Sequence, residues 1–384
     1  MRFSYPSLLL VLCISYAQGQ TVTVGSTIQQ LNPSQRGSVA AYWPDGNMGA
    51  VNVNGTNYIF APQANPGTVG ITLSDLNNWS NLTKISTTSN LQNGGSNSFD
   101  QNYIGGGAVY YDSASGYLIG LYHGEQWFGG GGSPFYSGEG LAYSKDLGVT
   151  WHKLGEVLSP QSTWTANGTN CMAEIGTGTL LVVGSYFYDY FTDNSSSCTG
   201  YEHLAVARAP ISAVIAAAKA GTPFTSGPGT LFMKYTGNGT WNGNGVNDLA
   251  NPQNGGGASA TIATVSNGEI LEPNVRYNSY LGKYVLAYSN LFTDIELAFS
   301  SDGLSWGAPT VVVSGGSQPS DEIYYPSLLN ANGGDPQVLG QNFIVVYDRP
   351  LSWSWSNASV YSTALSVSGG NAPPPPTGLT GIVQ

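Results

Sequence analysis

The chain has 384 residues, a formal charge of −11, and only 9% charged residues beside 12% aromatic ones. Globular domains usually carry about a quarter charged residues, so the surface must be built from Asn, Ser, Thr, Gly and Tyr, as suits an extracellular β-protein. The acidic balance argues against nucleic acid and anionic membranes as partners, and mildly against a strongly anionic polymer as substrate.

Residues 1–19 read as a secretory leader. Arg2 gives the positive start, Leu8–Ile14 the apolar core, and Ala17-Gln18-Gly19 a small-x-small cleavage site. That run is too short to span a bilayer and no later stretch is long enough. An exported, soluble, monomeric protein is therefore expected. Asn54, Asn78, Asn81, Asn167, Asn194, Asn238 and Asn357 head glycosylation sequons, several of which composition alone would produce. Cys13 leaves with the leader, so Cys171 and Cys198 remain as an expected disulfide. It would close a loop of about 25 residues, worth roughly 3 kcal/mol in chain entropy.

From residue 20 to about 370, strand-like runs alternate with Gly, Asn, Asp and Pro, with little helical periodicity. Five units follow one another. The first holds Val39–Trp43, Tyr58–Ala61 and Gly70–Leu73. The second holds Gly107–Tyr111, Tyr117–Tyr122 and Leu141–Tyr143, and the third Cys171–Ile175, Leu180–Val183 and His203–Arg208. There a single short helix is expected over Ile211–Ala220, with Pro210 at its start and Gly221 at its end. The fourth unit holds Asn274–Tyr277, Tyr284–Ser289 and Ile295–Phe299; the fifth holds Ile323–Leu328, Phe343–Tyr347 and Val360–Leu365.

Ser144-Lys145-Asp146-Leu147-Gly148-Val149-Thr150-Trp151 is an Asp-box turn, with a weaker copy at Ser300–Trp306 and a degenerate one at Ser74–Trp79. The Asp carboxylate is expected to bond backbone amides, Gly to take φ > 0, and Trp to pack between repeats. Five such units predict an all-β, five-bladed β-propeller, closed by a strand near Thr21–Val24; a β-sandwich would need shorter, less regular units. Residues 371–384, with Pro373–Pro376, read as a disordered tail.

The phrase Glu272-Pro273-Asn274-Val275-Arg276-Tyr277, running into Leu281-Gly282-Lys283-Tyr284, is similar to the inner strands of five-bladed glycoside hydrolases of the arabinanase, xylosidase and invertase kind. Ile323–Leu328 is similar to their last blade. Asp boxes are equally typical of sialidases, but the Arg-Ile-Pro motif of those enzymes is missing and the mature chain keeps only Arg36, Arg208, Arg276 and Arg349. The resemblance implies hydrolysis of a glycosidic bond in an oligo- or polysaccharide by two carboxyl groups at the propeller axis.

Glycoside hydrolysis needs one protonated and one ionised carboxyl flanking the bond. The resemblance implies that Asp45 is base or nucleophile and Glu272 the acid. Glu125 follows His123 on one strand face and is a third catalytic candidate, with His123 binding hydroxyls or tuning a pKa. Trp43, Trp127 and Tyr324 are candidate sugar platforms, although each suits packing as well. Arg276, Asp321 and Glu322 are expected at the substrate, and Asp100 as a tuner of the acid. Gly105–Gly107 and Gly129–Gly132 suit backbone close to a ligand or a mobile rim, and neither is a phosphate loop. No His/Cys spacing suggests a transition metal, while a structural Ca²⁺ on carbonyl and carboxylate oxygens is compatible with the axis. A lyase with His123 as base and a non-catalytic sugar-binding propeller are the competing readings; fold alone does not decide among them.

Overall fold

In a computed structural model, the structure describes residues 20–369 except 64–66, 86–90, 97, 129–134, 164–172, 177, 195–202, 252–253, 266–267, 316–321 and 352–353. The expected leader, the tail, Asp321, Gly129–Gly132 and both cysteines of the expected disulfide lie outside the described residues.

Five antiparallel sheets form the blades of a propeller. Blade 1 comprises Gly49–Val53, Thr56–Pro62, Thr68–Leu73 and Thr83–Lys84. In blade 2, Tyr103–Gly105 and Val109–Asp112 share one innermost position beside Tyr117–Trp127, followed by Phe135–Ser144 and His152–Leu158. Blade 3 repeats that split: Glu174–Ile175 and Thr179–Val183 both pair with Tyr186–Asn194, and His203–Pro210, Gly229–Gly237 and Thr240–Val246 follow. Blade 4 runs Ile270–Asn278, Lys283–Asn290, Asp294–Ser300 and Thr310–Ser314, with Val338–Leu339 added in parallel to its first strand. Blade 5 is Tyr324–Leu329, Asn342–Leu351 and Ser354–Ser368, and its outer strand is Thr21–Leu31. That last pairing runs from Thr21 opposite Ser368 to Leu31 opposite Val360, as the closing strand was expected to do.

The apolar cores lie between blades rather than within them. One cluster joins Val51, Val53 and Phe60 of blade 1 to Leu118, Tyr122 and Trp151 of blade 2. Another joins Tyr188, Tyr190 and Val206 of blade 3 to Val275, Tyr284 and Leu286 of blade 4. The turn tryptophans belong to this packing. Trp151 meets Phe60 edge-on at 5.8 Å and Trp306 meets Tyr190 at 6.2 Å, each reaching the preceding blade. The turns are held as their residues require. Ser144 Oγ donates to Asp146 Oδ1 (2.7 Å), and that oxygen accepts from Thr150 N (2.8 Å). Gly148, at φ 88°, donates its N–H to Ser144 Oγ. Asp302 accepts in the same way from Leu304 N and Ser305 N.

Two sequence expectations are corrected. Val39–Trp43 is not the first strand: a helix, α1 (Pro33–Val39), occupies its start, so the chain has two short helices among the described residues. Asn32 caps Gln35 N while Gln35 caps Asn32 N, with Pro33 opening the helix. Buried Arg36 then donates to Trp43 O and Ala41 O, both at 3.1 Å, which holds the next residues as a loop and leaves Gly49–Val53 as the inner strand. The second helix, α2 (Ile211–Ala220), lies where expected, with Gly221 left-handed at φ 64°. The glycines Gly105–Gly107 serve the contact between blades rather than a ligand. A Cβ on Gly107 would stand 1.9 Å from Asn47 O, and one on Gly49 would stand 1.8 Å from Gly107 O. Blades 1 and 2 thus meet backbone to backbone.

Around the axis, at least one polar contact crosses each blade junction. Thr68 Oγ1 donates to Gly106 O (2.7 Å), Ser137 Oγ to Ile175 O (3.2 Å), and Thr179 Oγ1 to Pro273 O (2.8 Å). Asn274 Oδ1 accepts from Leu328 N (3.0 Å) and Ser327 Oγ from Met48 N (2.8 Å). These bonds complete the circuit and fix the inner strand ends that carry the acids.

Candidate functional site

Asp45 sits in the loop entering blade 1, anchored by its own N–H to Pro62 O (2.9 Å). Each carboxylate oxygen accepts one phenol: Tyr103 donates to Oδ2 at 3.0 Å and Tyr325 to Oδ1 at 3.1 Å. The phenols come from blades 2 and 5, the two neighbours of blade 1 in the ring. Burial raises the Asp45 pKa, the two phenols oppose it, and the nearby Glu125 charge adds to the rise while His123 opposes it; the result is about 6.

Glu272 opens the inner strand of blade 4 at a β-bulge, between register positions Leu271 and Asn274. Its φ is +53°, a left-handed conformation uncommon for a residue with a side chain. Tyr325 repeats this in blade 5, with φ +58° inside the bulge between Tyr324 and Ser327. A proline follows each of them. Bulges re-aim side chains, and here the two re-aimed groups share neighbours: Tyr325 feels the charges of both Asp45 and Glu272. Burial is the main cause that lifts the Glu272 pKa to about 8. The Glu174 charge adds to it, His123 opposes it, and Asp45 and Glu125 add further.

His123 is buried, with its ring edge toward Tyr103 at 6.0 Å. Nδ1 lies 3.1 Å from Ile175 O and Nε2 3.2 Å from Glu125 Oε1. Both neighbours are acceptors, so the ring fits as a doubly protonated imidazolium. Burial works against that charge, but the hydrogen bond and charge of Glu125, followed by Glu174 and Glu272, outweigh it and raise the pKa. The other oxygen of Glu125 accepts from Trp127 Nε1 at 2.5 Å. Asp45, Glu125, Glu174 and Glu272 each keep part of their surface open to solvent while Asn47, Tyr103 and His123 are buried. Four carboxyls and one imidazole from four blades therefore lie close enough for their charges to act on one another.

Of the sequence candidates, Asp45, Glu272, Glu125, His123 and Trp127 come together. Asp321 lies outside the described residues, and the other candidates have partners of their own. Trp43 is fully buried, donating to Val69 O (3.1 Å) and packing on Trp79 at 6.4 Å; it is core, not platform. Tyr324 stacks on Phe292 at 4.2 Å and donates to Glu322. Arg276 is buried four residues further along the same strand as Glu272, donating to Val275 O with Asp335 as its charged neighbour. Asp100 pairs with Lys153 (2.6 Å) on the flank of blade 2. No group of three or more His, Cys, Asp or Glu side chains gathers as a metal cage among the described residues.

Sequence reasoning missed Glu174, Tyr103, Tyr325 and Asn47. Glu174 opens the inner strand of the third unit, as Glu272 opens that of the fourth. Applying the same positional rule to every unit would have found it. Tyr325-Pro326 is the counterpart of Glu272-Pro273, a repeat visible in the sequence. Nothing in the sequence marked Tyr103, whose role depends on the split inner strand of blade 2.

No protein-family model matches the chain, and no curated protein matches it. Solved structures do. The catalytic domain of the GH62 α-L-arabinofuranosidase of Coprinopsis cinerea is 12% identical at a TM-score of 0.53, covering 89% of this chain and 96% of that one. A putative exo-β-1,3-galactanase from Bifidobacterium bifidum is 11% identical at 0.51, covering 92% and 99%. An α-L-arabinofuranosidase from Lactobacillus brevis is 13% identical at 0.50, covering 88% and 94%. At these identities the likeness is one of fold: the chain shares the five-bladed propeller of glycoside hydrolases over nearly its whole described length.

Proposed function

We propose that this protein is an exported glycoside hydrolase acting on a neutral glycan, with Glu272 as general acid and Asp45 as base or nucleophile. One observation carries the reading. Two carboxyls of the same hollow have proton affinities driven apart, to about 6 for Asp45 and about 8 for Glu272. Environments that separate two acids in this way assign acid and base at neutral pH. Near pH 7 Glu272 keeps its proton and Asp45 has lost its own. Glu272 passes the proton to the departing glycosidic oxygen, and Asp45, steadied by two phenols, activates water or attacks the anomeric carbon. The anion left on Glu272 is stabilised by the charge of His123. The four carboxyls and the chain's net charge of −11 favour an uncharged substrate.

A lyase would use His123 as a base. Both of its nitrogens face acceptors, which leaves no lone pair for that task. The test of the hydrolase reading is turnover of 4-nitrophenyl glycosides of α-L-arabinofuranose, β-D-galactopyranose and β-D-xylopyranose, together with a polysaccharide array. Asp45→Asn is expected to lose at least about a hundredfold in kcat, the scale of general-base contributions. Undiminished turnover in that variant would sink the assignment. Export and the Cys171–Cys198 bridge belong to the same proposal. The intact mass of secreted protein should lack residues 1–19 and two hydrogens, and a thiol reagent should add nothing before reduction; a labelled thiol would exclude the bridge.

A further inference from the structure

Asn47 stands two residues after Asp45, in blade 1, yet its side chain reaches across the axis to blade 4. Nδ2 donates to Glu272 O and to Pro273 O, both at 2.9 Å. Blades 1 and 4 are not neighbours in the ring, so this bridge spans the hollow instead of sealing a junction. Its orientation is set by chemistry, because an amide oxygen placed there would face two carbonyl oxygens. Thr179 Oγ1 donates to Pro273 O from blade 3 (2.8 Å), so the peptide after Pro273 is held from two sides. Asn47 itself is 4% exposed.

The strained conformation of Glu272 lies under this bridge. A Glu at φ +53° persists only where surrounding contacts over-determine it. The two bonds from Asn47 grip the carbonyls on either side of the Pro273 ring, the part of the bulge whose rotation would let the Glu272 side chain swing away. We propose that Asn47 is a positioning residue that locks the Glu272 backbone in its left-handed form and so ties the acid to the loop carrying Asp45. It touches no substrate. This inference rests on the reading of Glu272 as the acid.

The test uses the full secreted chain with ¹³C-labelled glutamate carboxyls, titrated by NMR. Glu272 is assigned with Glu272→Gln, and Glu156, buried in blade 2, serves as the internal control. In the unaltered protein Glu272 should titrate near 8. In Asn47→Ala its midpoint should fall by about one pH unit or more as the carboxyl relaxes toward solvent, while Glu156 stays in place. Asn47→Ser, which keeps one donor, should fall between and guards against a variant that fails to fold. On the glycoside that is turned over, kcat should drop about thirtyfold or more with KM changed less than about threefold, the split expected of a group that acts through the acid. A Glu272 midpoint high in the unaltered protein and unmoved in both variants overturns the role of Asn47 alone. A midpoint near the ordinary carboxyl value in the unaltered protein overturns the acid assignment and this inference together.

Discussion

Glu272→Gln is expected to lose about 10²- to 10⁴-fold in kcat on glycosides with poor leaving groups, the range that general acid catalysis supplies. On a 2,4-dinitrophenyl glycoside, whose phenolate departs without a proton, the same variant should fall by less than about tenfold in bond cleavage. The pH profile should change with it. With the proposed roles, kcat/KM of the unaltered protein should rise as Asp45 ionises through about 6 and fall as Glu272 loses its proton through about 8, with an optimum near pH 7. Removing the acid removes the falling limb and keeps the rising one. The parallel variant Glu174→Gln is the informative companion. Glu174 contributes the largest charge effect on Glu272, so its neutralisation should move the falling limb to lower pH and leave the leaving-group dependence as it was. If Glu174→Gln instead shows the dependence and Glu272→Gln does not, the acid is Glu174.

Glu156→Gln is expected to stabilise the fold above neutral pH. Glu156 is buried in blade 2. Burial lifts its pKa to about 8, with the bond from Ser159 and the Lys234 charge opposing and Asp100 adding. A carboxyl whose folded pKa is raised contributes stability that is complete below its unfolded pKa and is lost as pH rises through the folded one. For a shift from 4.5 to about 8 that loss is roughly 4 kcal/mol by pH 8. Asp45, Asp189, Glu139, Glu272 and Asp348 shift in the same direction, and so does His123. Lys234, lowered to about 8, and Arg276, lowered to about 10, are charged in both states below pH 7 and add little slope there. The unaltered protein should therefore weaken steadily from pH 5 toward pH 8. Urea melts at both values would show Glu156→Gln within about 1 kcal/mol of the parent at pH 5 and more stable by ~3 kcal/mol at pH 8. Equal stability at the higher pH would mean that the carboxyl ionises without cost.

The propeller was legible because its signals are local and repeated. The turn at Ser144–Trp151 declares its hydrogen bonds in its own residues, and strands such as Tyr284–Ser289 and Phe343–Tyr347 are continuous apolar runs. The entry to blade 1 was misread because Val39–Trp43 looks like such a run, although Asn32-Pro33-Ser34-Gln35 beforehand is a helix start. What decides the segment is a long-range fact, the burial of Arg36 against two carbonyls. The site divides along the same line. Asp45 and Glu272 were marked by position at unit starts and by scarce charge. Tyr103, Tyr325 and Asn47 matter only through contacts across blades, with sequence separations of 58, 280 and 225 residues, and no window of sequence contains those pairs. Trp43 illustrates the converse: its neighbours in sequence suited a sugar platform, and packing against Trp79 claimed it.

The pairing of Thr21–Leu31 with Ser354–Ser368 sets the order in which this molecule can mature. During synthesis Thr21–Leu31 must wait for Ser354–Ser368 to emerge before it gains its strand partner, so the toroid stays an open horseshoe until then. Any chain stopped short of residue 354 would present a bare sheet edge and an orphaned opening segment, two sticky surfaces at once. Once clasped, the same pairing ties the first described strand into the fifth blade, so neither one can fray without the other.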